Sequence, residues 1–283
     1  RRILLIAAAL LAAARLTSAE AEPSAQDVKA WLRAVDDARN TFGEAVIRAR
    51  ATQFEKGTQM GSAEFDVYVK GRDKVLIVFR GGRNDGRKAL TVGDKMWLLV
   101  PGAQNPVPIT PNQRLLGGAS FGDVARIRFA EDYTAQRRPG TENVQGRDCY
   151  ALDLTAVSPK APYPKATLWV DAEGVKLPRR LLFLLPSGKP ARQVLFTQFK
   201  KVQEKTCVAE MEIQDLLGAQ SQSVTKLEYL DIKPAQIDGS EGREITPDTL
   251  TALPPVPKTL VFGATRKPGG STVLVGSVPA DAT

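Results

Sequence analysis

The first regular pattern in the chain predicts an amphipathic helix over residues 24–38. Four apolar residues recur there at helical spacing and form one stripe: Val28, Trp31, Leu32 and Val35. Ser24 is suited to the N-cap, because its side chain can accept a hydrogen bond from the first turn, where Asp27 lies. The neighbouring carboxylates Asp36 and Asp37 are interpreted as part of a solvated helix face.

From residue 42 onward, apolar and polar residues alternate with the period of two that is typical of β-strands. Phe65, Val67 and Val69 fall on one side of such a strand. Turn signals, among them Asp85-Gly86 and Gly93-Asp94, separate the strands at short intervals. The pattern predicts an antiparallel meander of hairpins with ten to eleven strands.

Several predicted strands are apolar on both faces, and residues 75–79 and 181–185 are the clearest examples. A sheet with one solvated face should alternate cleanly, so another element is expected to cover the second face. The candidates are the amphipathic helix and residues 115–121, which follow a proline-rich interruption. Ser120, with Asp123 three residues on, predicts a short helix that ends near residue 128. A loose cover would leave an apolar cavity.

The two ends of the chain differ from this β-rich region. Residues 1–19 have the order of a secretory signal peptide, with two arginines, an apolar run and then small residues. Cleavage is predicted after Ala19 or, as a second choice, after Ala21, and a short membrane anchor is the alternative. Residues 239–283 form a C-terminal extension rich in Pro, Gly and Thr. Residues 259–265 and 272–278 predict a hairpin there, with a flexible tail as the alternative.

Charge and composition exclude several functions. The formal net charge is +8, or +5 without Arg1, Arg2 and Arg15 of the predicted signal peptide (36 basic minus 31 acidic residues), which suits transient contact with an anionic membrane, whereas the export signal disfavours nucleic-acid binding. The sequence has no His, which removes Ser-His-Asp and Cys-His catalysis and the commonest zinc ligand. We therefore expect no enzyme, no metal and no cofactor. A hydrolase built on the Ser223-x-x-Lys226 match is the weakest alternative, because positions i and i+3 of a strand face opposite sides.

The two cysteines, Cys149 and Cys207, leave two alternatives open. An exported protein meets oxidising conditions, in which a disulfide between them is allowed. Two free buried thiols are the other interpretation.

Apolar and aromatic side chains are the remaining candidates for function. An acyl chain needs no charged partner, only an accessible apolar groove. We expect Leu115, Leu116 and Phe121 to form a lid, with glycines beside them that allow movement. The full set expected to contact the acyl chain is Phe65, Val67, Ile77, Phe79, Trp97, Leu99, Leu115, Leu116, Phe121, Tyr133, Tyr150, Leu152, Trp169, Phe183, Phe196 and Met211. For each residue alone, an ordinary place in the core is the alternative.

Several short motifs between residues 95 and 232 resemble the LolA-like family of outer-membrane lipoprotein-sorting proteins. Their order and spacing carry the resemblance more than any one of them does. They include residues 117–124 (GGASFGDV), 146–154 (GRDCYALDL), 163–165 (YPK), 168–171 (LWVD), 187–189 (SGK) and 211–215 (MEIQD).

The resemblance implies an unclosed antiparallel β-barrel, a half-barrel of about eleven strands over residues 20–238, with helices plugging its concave face. It implies non-enzymatic binding of lipoprotein acyl chains or other lipids and their carriage through the periplasm toward the outer membrane. A membrane-bound transporter and an outer-membrane acceptor would be transient partners of a monomer. The alternative is an envelope sensor that uses the same half-barrel to bind lipidated or misfolded partners.

Overall fold

The computed structural model describes residues 22–71, 73–125, 128–158, 161–217 and 223–234, and the backbone of residues 259–263 and 273–277. The predicted signal peptide, with both expected cleavage positions, lies outside the described residues.

Helix α1 (Ala25–Arg39) forms where the apolar stripe predicts it. Its N-terminus is closed by a capping box. The Ser24 Oγ accepts a hydrogen bond from the Asp27 backbone N–H at 3.2 Å, and the Asp27 carboxylate accepts one from the Ser24 N–H at 2.9 Å. Val28, Leu32 and Val35 are buried, so the stripe faces the sheet as expected.

The strands follow in chain order and are mostly joined by short turns. The first group is β1 (Glu44–Glu55), β2 (Thr58–Lys70), β3 (Lys74–Arg80), β4 (Lys88–Val92), β5 (Lys95–Leu99) and β6 (Val107–Ile109), with a 3-10 turn at Gly82–Asn84. The second group is β9 (Tyr133–Arg137), β10 (Glu142–Val144), β11 (Arg147–Ala156), β12 (Lys165–Asp171), β13 (Pro178–Leu184), β14 (Pro190–Val202), β15 (Lys205–Asp215) and β16 (Ser223–Pro234). Between the groups lie β7 (Arg114–Leu116), β8 (Ala119–Ser120), α2 (Phe121–Ala125) and α3 (Phe129–Asp132).

The two groups of strands form one antiparallel sheet, because β1 pairs with β16 along its length. Its strand order is β10-β11-β12-β13-β14-β15-β16-β1-β2-β3-β4-β5-β6, and β9 also pairs with β11. The predicted half-barrel is confirmed: β6 lies at one free edge, the short strands β9 and β10, which both pair with β11, lie at the other, and the curved sheet is unclosed. Within the described residues the sheet has 14 strands, more than the ten to eleven expected, and the short strands β6, β9 and β10 lie at its edges.

The chain between the two free edges lies across the hollow of the sheet. Residues 110–132, which we call the cover segment, leave edge strand β6 and return at edge strand β9. On the way they pass over the centre of the sheet, where Gly118 lies close to β15 and β16. The predicted short helix after Ser120 is present as α2, and α3 follows it.

The sheet carries apolar residues on both faces, but α1 and the cover segment pack on only one of them, the inner face. The expectation that these elements account for the second apolar face is therefore wrong. On the outer face, alternate residues of the same strands form two smaller clusters. These are Tyr68, Leu76, Val78, Leu90 and Leu99, and, further along the sheet, Val144, Cys149, Ala151 and Trp169.

Two further strands lie in the C-terminal extension. β17 (Thr259–Gly263) and β18 (Val273–Ser277) pair antiparallel within the segments that the sequence predicts as a hairpin. The expected turn between them lies outside the described residues.

Candidate functional site

The inner face of the sheet brings together most of the residues that the sequence predicts for acyl-chain contact. They are joined in one apolar cluster with the buried face of α1 and with the cover segment. The members of the predicted set in this cluster are Phe65, Val67, Ile77, Phe79, Leu115, Leu116, Phe121, Tyr133, Tyr150, Leu152, Phe183, Phe196 and Met211.

Three residues of the predicted set lie on the outer face, away from this cluster. Leu99, with Trp97 packed against it, belongs to the outer cluster of β2–β5, and Trp169 belongs to that of β11 and β12. Successive strand residues point to opposite faces. In strands that are apolar on both faces, the sequence does not tell which set faces inward. Trp169 instead donates a hydrogen bond from its indole nitrogen to Glu142 at 2.8 Å.

The side chains of the inner cluster interlock. The ring centroids of Phe65 and Phe79 lie 5.4 Å apart, and those of Phe79 and Phe121 lie 6.3 Å apart at an edge-on angle of 77°. These rings join the sheet to the cover segment directly. The loose cover envisaged from the sequence is therefore not what these residues form, and a guest chain has to displace part of the cover to reach this cluster.

Among the described residues, two cavities lie at the margin of the cluster. A crevice of about 10 Å³ opens where α1 ends, between Phe42, Ile47, Cys207 and Tyr229 among others. A larger cavity of about 420 Å³ lies at the loops beside β11 and β12 and has a mostly polar lining: Thr141, Arg147, Asp148, Tyr150, Asp171, Ala172 and Glu173.

The cover segment is tied to the sheet by a buried ion pair. The Asp123 carboxylate accepts a hydrogen bond from the Arg192 guanidinium on β14. It also accepts bonds from the backbone N–H and the hydroxyl of Ser120, at 2.6 and 2.9 Å. Arg39 on α1 donates to the Asp123 carbonyl at 2.7 Å. One aspartate thus connects the cover segment to both the sheet and α1.

A second buried aspartate connects α1 to the far end of the cover segment. The carboxylate oxygens of Asp36 accept hydrogen bonds from the N–H groups of Phe129 and Ala130, at 2.8 and 2.9 Å. These are two of the unpaired donors at the start of α3. The interpretation of Asp36 as solvated is therefore wrong. Its place four residues after Leu32, on the apolar stripe, was the signal that could have identified it.

Two glycines let the cover segment approach the sheet closely. A Cβ on Gly117, whose φ is +53°, would lie 2.9 Å from Cγ of Gln53 and closer still to Oγ1 of Thr225. The neighbouring Gly118 N–H donates to the same Thr225 hydroxyl at 2.8 Å. Glycine is therefore needed at position 117 for its backbone angle and for its lack of a side chain.

Aromatic residues of α1 and of the start of β9 also have polar partners. The rings of Trp31 and Tyr150 are stacked, with their centroids 5.2 Å apart. The Lys176 ammonium lies 5.2 Å from the Trp31 centroid and 5.1 Å from that of Tyr150. Tyr133, the first residue of β9 after the cover segment, donates its hydroxyl to the Tyr163 carbonyl at 3.0 Å. Burial raises the pKa of Tyr133 well above its usual range.

The cysteines are free thiols, which is the second of the two alternatives that the sequence left open. Cys149 belongs to the outer face of β11, and Cys207 belongs to the inner face of β15. Four strand spacings of about 4.8 Å separate these strands, far more than the 7 Å or so that a disulfide spans. Burial raises the pKa of the Cys149 thiol to about 11.

Two further observations concern the described residues only. They contain no group of three or more His, Cys, Asp or Glu side chains placed to hold a metal ion. No helix among them has the length and apolarity needed to cross a membrane.

Comparison with known proteins gives matches to a family and to solved structures. A family model described as "Uncharacterized protein" matches residues 71–240, more than half of the chain. No curated protein sequence matches the chain significantly.

The solved structures share the fold at low sequence identity. A LolA superfamily protein from Nitrosomonas europaea has a TM-score of 0.66 and 22% identity, over 76% of this chain and 96% of its own. A DUF1329 family protein from Desulfovibrio piger has a TM-score of 0.64 and 20% identity, over 74% and 92%. A putative outer membrane lipoprotein-sorting protein domain from Vibrio parahaemolyticus has a TM-score of 0.62 and 16% identity, over 74% and 93%. The resemblance found in the sequence is confirmed: the chain belongs to the family of the matching model, and its fold is LolA-like.

Proposed function

We propose that this chain binds an acyl chain of a lipid or lipoprotein on the inner face of its half-barrel. One observation carries the proposal. A single apolar cluster extends across the inner face and continues into a cover segment made of short elements. The similar structures include one titled as a lipoprotein-sorting domain, which supports the same use of this fold.

The energy of acyl-chain burial is large enough to displace part of the cover. Burial of ~15 methylenes is worth roughly 12 kcal/mol at ~0.8 kcal/mol each. Part of this is spent on separating Phe121 from Phe79 and on rearranging the polar contacts of the cover segment. The guest chain then takes the place of the apolar side chains that it displaces, so water does not enter the inner face.

Carriage through the periplasm extends this proposal. After export and cleavage of the signal peptide, the monomer would receive its cargo from a membrane-bound transporter and deliver it to an acceptor at the outer membrane. No catalytic step is required. Mass spectrometry of the protein purified from its own periplasm should detect bound lipid, whereas protein that repeatedly purifies without lipid would contradict carriage.

Leu116→Asp tests whether the cover segment contacts the guest chain. Leu116 is partly buried and packs on the inner cluster, so a carboxylate there would oppose an acyl chain. We expect the affinity for a fluorescent fatty acid, cis-parinaric acid, to fall by roughly ten-fold or more. The loss of folding free energy, measured from the Tm, should be smaller than the loss of binding free energy.

The matched control is Val107→Asp, on edge strand β6, where the side chain is already 53% exposed. This variant should bind the probe like the wild type. Unchanged probe binding in Leu116→Asp would remove the cover segment from the site, and a wild type that does not bind the probe would refute the proposed function.

A further inference from the structure

Arg87 occupies an unusual position between the sheet and the cover segment. It lies in the turn before β4, and its carbonyl accepts a hydrogen bond from the Phe79 N–H at 2.9 Å. Its guanidinium carbon lies 5.3 Å from the ring centroid of Phe79 and 5.5 Å from that of Phe121. One cation therefore contacts both rings that join the sheet to the cover segment.

The guanidinium of Arg87 has no counter-charge within the described residues. Its Nε is buried and has no hydrogen-bond partner among the residues that the structure describes. Burial lowers its pKa, and no carboxylate in the described part of the chain acts against that effect. Arg192 and Arg179, in contrast, are buried against the carboxylates of Asp123 and Asp171. Arg87 is thus a partly desolvated cation whose remaining donors are available to a ligand.

The chemistry of a guanidinium limits what such a ligand can be. Its planar fork of N–H donors matches the two oxygens of a carboxylate or phosphate. An alkyl chain that enters the inner cluster at Phe121 would bring its polar end beside Arg87. An anion there would supply the charge that the site lacks.

We propose that Arg87 binds the anionic headgroup, a carboxylate or phosphate, of the amphiphile whose alkyl chain enters the inner cluster. This inference rests on the proposed function and adds the class of ligand to it. It makes Arg87 a binding residue that distinguishes anionic from neutral amphiphiles of equal chain length.

Displacement of Nile red, a neutral probe, from the full chain by three ligands of one chain length tests the inference. Dodecanoic acid and dodecyl phosphate should bind roughly ten- to hundred-fold more tightly than dodecanol, as charge-assisted hydrogen bonds imply. The tighter of the two anions identifies the headgroup. Equal binding of all three would overturn the inference and leave lipid binding intact, whereas binding of none would refute the proposed function itself.

Variants assign the preference to Arg87. Arg87→Gln should remove the preference for the anions. Its affinity for dodecanol should stay within about two-fold of the wild-type value, which is a small free-energy change. Arg87→Lys should keep part of the preference. Arg180→Gln is the matched control, because Arg180 also has a buried Nε with no hydrogen-bond partner among the described residues, but it lies 4.7 Å over the ring of Trp169, which belongs to the outer face. Its preference should equal that of the wild type.

Two results would contradict the role of Arg87. One is an anion preference that survives in a folded Arg87→Gln protein. The other is that inorganic phosphate displaces dodecanoic acid as effectively as dodecyl phosphate does, since this would indicate a site for free anions. If Arg87→Gln does not fold, Arg87→Lys and the three-ligand comparison on the wild type decide the question.

Discussion

Helix α1 and the cover segment pack on the same face of the sheet, but different interactions hold them there. α1 has 15 residues, a capping box and one apolar stripe, so local sequence specifies it almost completely. The cover segment is built from strands of 3 and 2 residues and helices of 5 and 4 residues. Isolated helices shorter than about 12 residues are not stable in water, so tertiary contacts must fix the cover segment.

This difference bears on which part of the inner face can move. The cover segment also buries apolar side chains in the inner cluster, Leu115, Phe121 and Phe129 among them, but it carries them on short separate elements, whereas α1 carries its stripe on one continuous helix. We therefore propose that α1 is a fixed wall of the inner face and that the cover segment is the movable one.

The largest expected effect comes from Asp123→Ala, which leaves Arg192 buried without its partner. Removal of one member of a buried ion pair costs about 3–5 kcal/mol. Urea unfolding should show a loss of this size, whereas Asp37→Ala, at an exposed position of α1, should cost little. Equal stability of the two variants would mean that the ion pair does not hold the cover segment.

Gly117→Ala should have the next largest effect. The new Cβ adds crowding against Thr225 and Gln53 to an unfavourable positive φ, so we expect a loss of roughly 2–4 kcal/mol. Gly57→Ala is the control, because its φ is +82° but nothing lies within 4 Å of its Cβ. If Gly117→Ala lowers the free energy of unfolding no more than Gly57→Ala does, the cover segment must shift to make room for the new Cβ.

Tyr133→Phe tests the return of the cover segment to the sheet, at the first residue of β9, through the pH dependence of stability. Because burial raises the folded-state pKa above the unfolded value of about 10, the tyrosine contributes stability below pH 10 that is lost as the pH rises further. The variant should lose about 1 kcal/mol at pH 7 with its hydrogen bond, and its stability should decline less above pH 10. If the wild type and the variant lose the same stability above pH 10, Tyr133 is not the group that titrates.

Ser24→Ala should have the smallest effect and mark the contrast with the cover segment. Loss of the N-cap costs typically about 1 kcal/mol. Because α1 is the fixed wall, circular dichroism should report a small drop in Tm, and the affinity for cis-parinaric acid should stay the same. A marked change in that affinity would mean that α1 moves as well.

The same contrast explains how much the sequence predicts. Periodicity is sufficient for α1 and for the central strands, because their apolar residues recur at fixed spacing. It could not assign Trp97, Leu99 or Trp169 to a face, because strands apolar on both faces have no alternation to read. It also could not pair Asp123 with Arg192, since the two lie 69 positions apart and meet only in the folded sheet.

The polar contacts of the inner face were missed for the same reason. Arg87 is one basic residue in a charged turn, and only the structure places it against Phe79 and Phe121. The close approach at Gly117 likewise depends on Thr225, more than 100 residues later in the chain. Two adjacent glycines in an apolar segment predict backbone mobility, but they do not predict the contact of Gly117 with Thr225.

A disulfide that staples the cover segment to the sheet tests the central claim most directly. A Cβ on Gly118 would lie 3.7 Å from Oγ1 of Thr225, the atom whose place Sγ of a cysteine would take, so a small backbone shift brings the two sulfurs of a cysteine pair together. Gly118→Cys with Thr225→Cys, in a background of Cys149→Ala and Cys207→Ala, should bind cis-parinaric acid when reduced and lose that binding when oxidised. Equal affinity in both states would contradict entry of the acyl chain beneath the cover segment.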